Sequence, residues 1–487
     1  GQSGNEGESE EQAGEDNEQG SKGKKSSAGP GAGRDVDANK EIRSETDDAY
    51  RKNEENLFSK DGLSYLYANI PVYDTSKIMD YKDMIRLINE EQYPVNVDLF
   101  NKYRRESSKV VSYLVKEFEL RKNAEQLKRA TTAKTGDLNM NRLYSYNFTE
   151  DIFKKISVVP QGKSHGLVMF LDWSGSMVKH MGNTVKQLLN LVLFCKKVNI
   201  PFEVYSFIEN TDYAYNYSPS SHAKTGDLTM HTFGLINLLS NRMNSVDFTY
   251  ACAALMKMSG ANYSNGYYNV RTPYFMKMSG TPLNEAIIIA PEMVKEFQRK
   301  NKLEIVNTIF LTDGESNGMS SSLENATGQK SVGLSKSKYF YTDKETGKTY
   351  ELPFSCYGSG NTSVFLKILK DKTQSNLIGF FLFHGTFKNL AYRFGVYDGS
   401  ADHAAKVKKF WSENKFYPIR SEGYDEYYVI DTASLKRTEN ELEITSKTKT
   451  TKAMAKAFSK FANKKTVNRV LLRQFIGRVA DQKKKVV

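Results

Sequence analysis

FLDWSGSM, residues 170–177, is an apolar run that stops on Asp172 and then presents Ser174 and Ser176 around Gly175. A short segment that is apolar at every position reads as a strand buried on both faces, as in the middle of a parallel sheet. Such a strand gains nothing from ending in one carboxylate and two hydroxyls unless those oxygens serve something at the sheet edge. Open α/β sheets bind their ligands there, beyond the carboxyl ends of the strands.

Working outward from this run, the chain after residue 160 alternates short apolar strands with helices, the pattern of a doubly wound, mostly parallel α/β sheet. Strands are expected at GLVMFLD (166–172), PFEVYSFI (201–208), EIVNTIFLTD (304–313), NLIGFFLFHG (376–385) and YYVID (427–431). Helices are expected between them, at 183–199, 282–301 and 362–373. Two stretches, 210–275 and 317–360, break the rhythm and read as insertions at strand ends, the second carrying a hairpin in YFYTDKETGKTYEL (339–352). AKTGDL (133–138, 223–228) and MKMSG (256–260, 276–280) each occur twice without a fixed period, so no solenoid is implied.

Four segments follow: an acidic disordered linker at 1–58, a helical segment at 59–159, the α/β domain at 160–440 and a basic helical tail at 441–487. The linker is rich in Gly, Ser, Glu and Asp, with seven acids and no base in its first twenty residues. In the helical segment, Val110, Tyr113, Leu114, Phe118 and Leu120 are expected to share a packing face. The tail from 447 carries thirteen Lys or Arg against one Asp; a solvated basic face is the simpler reading, and nucleic-acid contact has no further support.

The whole chain has 487 residues and a formal charge of +12, while residues 61–487 hold 60 Lys and Arg against 42 Asp and Glu. That balance permits an acidic partner without naming one. Cys195, Cys252 and Cys356 show no CxxC spacing, which points to a reducing, cytoplasmic setting and away from zinc. No run is long and apolar enough to span a bilayer, and the acidic opening is not a secretory signal. Because the sequence begins on Gly, it is read as processed or truncated.

Two further pieces supply oxygens where the topology would deliver them. Thr281, in SGTPLNEA (279–286), precedes a helix, and Asp313, in IFLTDGE (309–315), ends a strand. A hard divalent cation takes oxygen ligands, and Mg2+ keeps a near-octahedral shell partly filled by water. DxSxS alone is common; three separate pieces in this order, each at an element boundary, are far more specific.

HGLVMFLDWSGSM (165–177), SGTPLNEA and IFLTDGE together resemble the metal-ion-dependent adhesion site of a von Willebrand factor A domain. The resemblance implies that Ser174, Ser176 and Thr281 ligate Mg2+ (or Mn2+), that Asp172 and Asp313 act largely through water, and that an acidic group of a protein partner completes the shell. Upstream, KTGDLNMNRLYSYNFTEDIFKKI (134–156) resembles the lead-in to the A domain of the large non-ATPase subunit of aerobic cobaltochelatase and of its tailed-phage relatives. This implies a partner ring ATPase of the AAA+ class, in the cytoplasm or in that of a phage-infected cell. The chain itself has no GxxxxGK[ST] run and is not expected to be an enzyme alone. Trp173 departs from the smaller residue usual in the family.

Other readings use the same residues. The five side chains can simply cap and close turns, Thr281 with Pro282 being a good helix start. GESNG (314–318) fits G-x-S-x-G, so Ser316 with His384 or His403 would make a serine hydrolase. A virion structural or adhesion-type protein would bind through the A domain without any motor.

Overall fold

The computed structural model describes residues 65–70, 75–129, 131–138, 153–158, 164–209, 225–229, 233–264, 267–270, 272–324, 330–333, 338–353, 359–394, 401–414, 416–421 and 423–432. The acidic linker, the basic tail and Cys356 lie outside them.

The seven strands of the main sheet are β1 (His165–Asp172), β2 (Phe202–Ile208), β3 (Gly234–Ser240), β4 (Ile305–Thr312), β5 (Asn376–Phe383), β6 (Phe416–Ile419) and β7 (Glu426–Asp431). Their spatial order is β6-β7-β5-β4-β1-β2-β3. β2, β1, β4, β5 and β7 run parallel, and the edge strands β3 and β6 are antiparallel to their neighbours. The chain therefore winds outward from β1 through β2 to β3, then returns to the other side of β1 as β4. Where the winding reverses, the loops after β1 and β4 leave in opposite directions and open a crevice.

Successive residues of β1 point to opposite faces, and both faces are covered. Leu167, Met169 and Leu171 pack with α3 (Met181–Lys197) and α4 (Ser245–Met258). Val168 and Phe170 pack with α5 (Leu283–Asn301) and α6 (Ser359–Thr373). Phe170 and Phe310 stack across β1 and β4 with ring centroids 4.9 Å apart. On this second face α7 (Phe387–Arg393) and α8 (Ala401–Asn414) cover β5 and β7 through Leu390, Val407 and Trp411.

Helices α1 (Tyr81–Glu90) and α2 (Val97–Arg129) belong to the first core. Met84, Ile88, Phe100, Val111, Leu114 and Phe118 join the cluster that holds Leu167 and Met169. Phe118 meets Phe194 of α3 edge-on at 5.5 Å, and the Tyr103 hydroxyl donates to the Lys186 carbonyl at 2.7 Å. The packing face differs from the expected one: Val111 is buried and Leu120 is 62% exposed. The buried set Phe100, Ser107, Val111, Leu114, Phe118 advances by seven, four, three and four residues, which is one helical stripe.

The five expected strands are all present. The stretch 210–275 is not simply an insertion, because it contributes β3, buried along its whole length, and α4. Glu203 of β2 explains part of that docking: it accepts from Asn237 Nδ2 at 2.7 Å, Ser240 Oγ at 2.8 Å and Arg242 Nε at 3.1 Å. The hairpin at 339–352 forms as Lys338–Thr342 against Thr349–Leu352, and Tyr65–Tyr67 adds a parallel third strand. Within the helical segment, Thr131–Leu138 and Phe153–Val158 form an antiparallel pair.

Because α2 shares the sheet's core, Phe118→Ala should lower the unfolding free energy by about 3 kcal/mol, whereas Leu120→Ala should stay within about 0.5 kcal/mol. Urea unfolding followed by circular dichroism measures both.

Candidate functional site

The register Leu171↔Leu311 sets Asp172 and Thr312, the last residues of β1 and β4, side by side at the reversal of winding. Asp172 is fully buried. The Thr312 hydroxyl donates to Asp172 Oδ2 at 2.6 Å. Ser174, through its backbone and hydroxyl, leans toward the carboxylate, yet the second oxygen, Oδ1, is buried without a well-formed hydrogen bond. An unpaired buried carboxylate oxygen is costly, and the carboxyl responds by holding its proton. Burial pushes Asp172 up to about 7; the Thr312 bond opposes this, and the nearby Asp313 charge adds to it.

The DxSxS loop brings the next two oxygens. Ser174 Oγ and Ser176 Oγ are 2.9 Å apart, and Ser176 donates to Asp313 Oδ1 at 2.6 Å. Burial also raises Asp313, while the Ser176 bond and the Arg393 guanidinium pull it back. Asp172 and Ser174 are buried, Asp313 is half-buried and Ser176 is exposed, so the cluster opens to solvent on the Ser176 side.

Thr281 reaches the same place through backbone ties. The Gly175 N–H donates to the Ser279 carbonyl at 2.8 Å, and the Asn317 N–H to the Thr281 carbonyl at 2.9 Å. A Cβ added at Gly314, next to Asp313, would sit 3.8 Å from Thr281 Oγ1. Thr281 does not cap α5: the Ser316 hydroxyl does so, accepting from the Asn284 N–H at 2.9 Å. The structure thus gathers all five candidate side chains, Asp172, Ser174, Ser176, Thr281 and Asp313, around one opening.

Several supporting residues escape a reading of the sequence. Thr312 orients Asp172. Glu209, just past β2, accepts from the Gly280 N–H at 2.7 Å and from Ser279 Oγ at 3.2 Å. A Cβ at Gly280 would meet Glu209 Oε2 and Asn317 Nδ2, so a larger residue there would displace these two side chains from the loop. Trp173 is buried and its indole N–H donates to the Met276 carbonyl at 2.9 Å, fastening the 274–281 loop to the end of β1. His180 and His384 lie with ring centroids 5.2 Å apart, and His384 Nδ1 is 3.3 Å from Thr432 Oγ1.

The donor set suits a hard cation rather than a soft one. Among the described residues no group of three or more His, Cys, Asp or Glu side chains is placed to hold a metal, so here hydroxyls and water would complete any shell. Cis oxygens in an Mg2+ octahedron with bonds near 2.1 Å stand about 3 Å apart, close to the Ser174–Ser176 spacing. The orphaned Asp172 oxygen and the second acid beside it give such an ion a charge to neutralise. Ser316 makes no hydrogen bond to a histidine among the described residues, so no nucleophile–base pair stands there. No described helix is long and apolar enough to cross a membrane.

No protein-family model matches the sequence, and no curated protein matches it. Among solved structures, the pilus adhesin SpaC from Lactobacillus rhamnosus GG, in an open conformation, is 15% identical over 46% of this chain and 24% of its own, with a TM-score of 0.27. The vWF domain of the type V pili tip protein Mfa5 from Porphyromonas gingivalis is 10% identical over 57% of this chain and 92% of its own, with a TM-score of 0.24. The pilus adhesin RrgA from Streptococcus pneumoniae is 12% identical over 32% and 21%, with a TM-score of 0.20. This chain spans about a quarter of SpaC. At such scores the likenesses decide neither fold nor function; the mixed α/β architecture with a parallel-rich sheet rests on the strand order itself.

Without divalent cations the buried Asp172 gives stability a definite slope. An unfolded Asp ionises near pH 4 and the folded Asp172 near 7, so unfolding free energy should fall as pH rises between these values, by a few kcal/mol at most, and level off above. Asp172→Asn should flatten that slope in urea titrations run from pH 4 to 8 in EDTA.

Proposed function

We propose that the pocket holds one Mg2+ or Mn2+ ion and that the chain is a cation-dependent protein-binding domain of the von Willebrand factor A type. The observation that carries this reading is the buried Asp172 carboxylate, with one oxygen unpaired, beside the hydroxyls of Ser174, Ser176 and Thr281 and the carboxylate of Asp313. Three loops contribute: those after β1 and β4 leave the sheet where its winding reverses, and the Thr281 loop is tied to them through Gly175 and Asn317.

In this reading Ser174, Ser176 and Thr281 ligate the ion, and Asp172 and Asp313 anchor the shell, directly or through water. Two carboxylates balance the ion's charge, and the remaining protein ligands are neutral. An incoming Asp or Glu therefore meets a Lewis acid rather than a crowded anionic cage. The exposed Ser176 edge is where that group enters. The chemistry is recognition, with no proton relay required.

The finer part, service to a AAA+ ring in a cobaltochelatase-like or remodelling complex, has its support in the resemblance of residues 134–156 and in the missing phosphate-binding loop of the chain itself. The ATPase would then be a separate polypeptide.

Calorimetric titration of Mg2+ and Mn2+ into the full chain tests the first claim: Asp172→Ala and the pair Ser174→Ala with Ser176→Ala should each weaken binding at least about tenfold, or about 1.4 kcal/mol. Equal binding by all three proteins would remove the cation from the site. Affinity capture of the tagged chain, with Mg2+ or EDTA and with Asp172→Ala, tests the second. Recovery of a AAA+ ATPase with the wild type in Mg2+ alone supports the motor partnership, and identical recovery in every arm overturns it.

A further inference from the structure

A cavity of about 490 Å³ runs from the carboxyl end of β4, at Thr312 and Gly314, over the face of β5 to the amino end of β7, so that it adjoins the cation pocket. That volume is typical of sites that accept a ligand side chain or small molecule. The walls are apolar and aromatic: Leu283, Leu366, Phe381, Phe394, Tyr424 and Tyr427. Tyr424 and Tyr427 stack with ring centroids 5.1 Å apart. Closure against Tyr427 leaves no room for a side chain at Gly379, so the rings are seated directly on the β5 backbone.

The polar groups of this cleft are mostly donors. Arg393 lies over the Phe381 ring, 4.7 Å from its centroid, and makes a long contact of 3.7 Å with the exposed Glu315. Arg420 is exposed at the rim. The Tyr424 and Tyr427 phenols are kept protonated by burial and have no hydrogen-bond partner among the described residues. Two guanidiniums and two free phenol donors against one carboxylate favour an anionic occupant. Next to Arg393, Tyr392 is 89% exposed on α7, an aromatic of the kind that protein contacts use.

We propose that this cleft receives an aromatic side chain of the same partner segment whose carboxylate meets the cation, so that the ligand is an acidic peptide with an aromatic anchor. This rests on the cation-binding reading above. The shared Thr312–Gly314 wall makes the two subsites continuous, so one extended chain can lay its acid over the hydroxyl cluster and its ring among Phe381, Phe394 and the two tyrosines. Arg393 and Arg420 then face the acids that flank the anchor. A free small aromatic anion would use the same walls but would gain nothing from the cation.

The test uses the full chain and fluorescein-labelled, end-capped peptides carrying one Asp and one Phe separated by one to four glycines, with Ala in place of Phe as the matched control. Anisotropy is read in Mg2+ and in EDTA. In Mg2+ the best Phe peptide should bind at least about tenfold more tightly than its Ala control. Ser363→Trp, which fills the cleft from a half-buried position on α6, should erase most of that preference, and Arg420→Glu should weaken the Phe and Ala peptides alike, while calorimetric Mg2+ affinity stays unchanged in both variants. Phe and Ala peptides binding equally, both dependent on Mg2+, would overturn the cleft and leave the cation reading standing. A Phe preference that survives EDTA and Asp172→Ala would overturn the shared ligand by separating cleft from cation, and benzoate competing as well as the peptide would then identify a small aromatic anion as the occupant.

Discussion

The parallel register between β1 and β4 is the constraint on which the candidate site depends. It sets Thr312 beside Asp172, and the 2.6 Å bond between them uses one carboxylate oxygen while leaving the other facing the loops. A one-residue slip would send Thr312 to the opposite face of the sheet and turn Asp172 away from the crevice. The register in turn is held by alternation: Leu167, Met169 and Leu171 belong to one core and Val168 and Phe170 to the other, so no slip leaves both cores intact. The site's geometry is thereby secured by the burial of the whole sheet and not by the polar residues themselves.

What the register cannot do is position the loop that carries Thr281, which arrives from a distant part of the chain. Three ties do that. Trp173 reaches across to the Met276 carbonyl, Gly175 donates to the Ser279 carbonyl, and Glu209 grips the Gly280 N–H. Two of the three start within three residues of Asp172, so the DxSxS loop and the threonine loop are fixed to each other by the protein's own bonds. Preorganisation of this kind lowers the ordering cost that a flexible set of hydroxyls would impose on binding. The unusual Trp173 acquires a reason here, because a small residue could neither fill that space nor donate to Met276.

The sheet was largely legible in the sequence because its parallel strands are short runs dominated by apolar residues on both faces, a signal that survives without neighbours. β1, β2, β4, β5 and β7 announce themselves in that way. β3 has the same character in GLINLLS, but it sits among polar residues in a stretch that breaks the strand–helix rhythm, and its antiparallel direction requires no preceding crossover helix. On α2 the expected Leu114 and Phe118 are buried and Tyr113 packs beside them, whereas Leu120 is exposed and Val111 joins the face, since a helical period admits neighbouring positions and only the partner surface chooses between them. At the site, Asp172, Ser174, Ser176, Thr281 and Asp313 were visible as oxygen-bearing residues at element boundaries. Thr312, Glu209 and Asn317 were not, because they act on backbone groups or on other ligands, and such roles follow no spacing along the chain.

The arrangement also bears on whether the crevice recognises or transforms what enters it. A hydrolase needs a nucleophile polarised by a base. Ser316, in the G-x-S-x-G run at 314–318, spends its acceptor on the Asn284 N–H, and His384 is turned toward Thr432. Asp172 is too deeply buried, and too firmly engaged by Thr312, to exchange protons with a substrate at the mouth of the pocket. Ser176 and Asp313 do reach solvent, but they are bonded to each other. Ser176 Oγ and Asp313 would be free to hold a cation only by giving up that bond, and the Arg393 guanidinium lies close enough to Asp313 to draw on its charge.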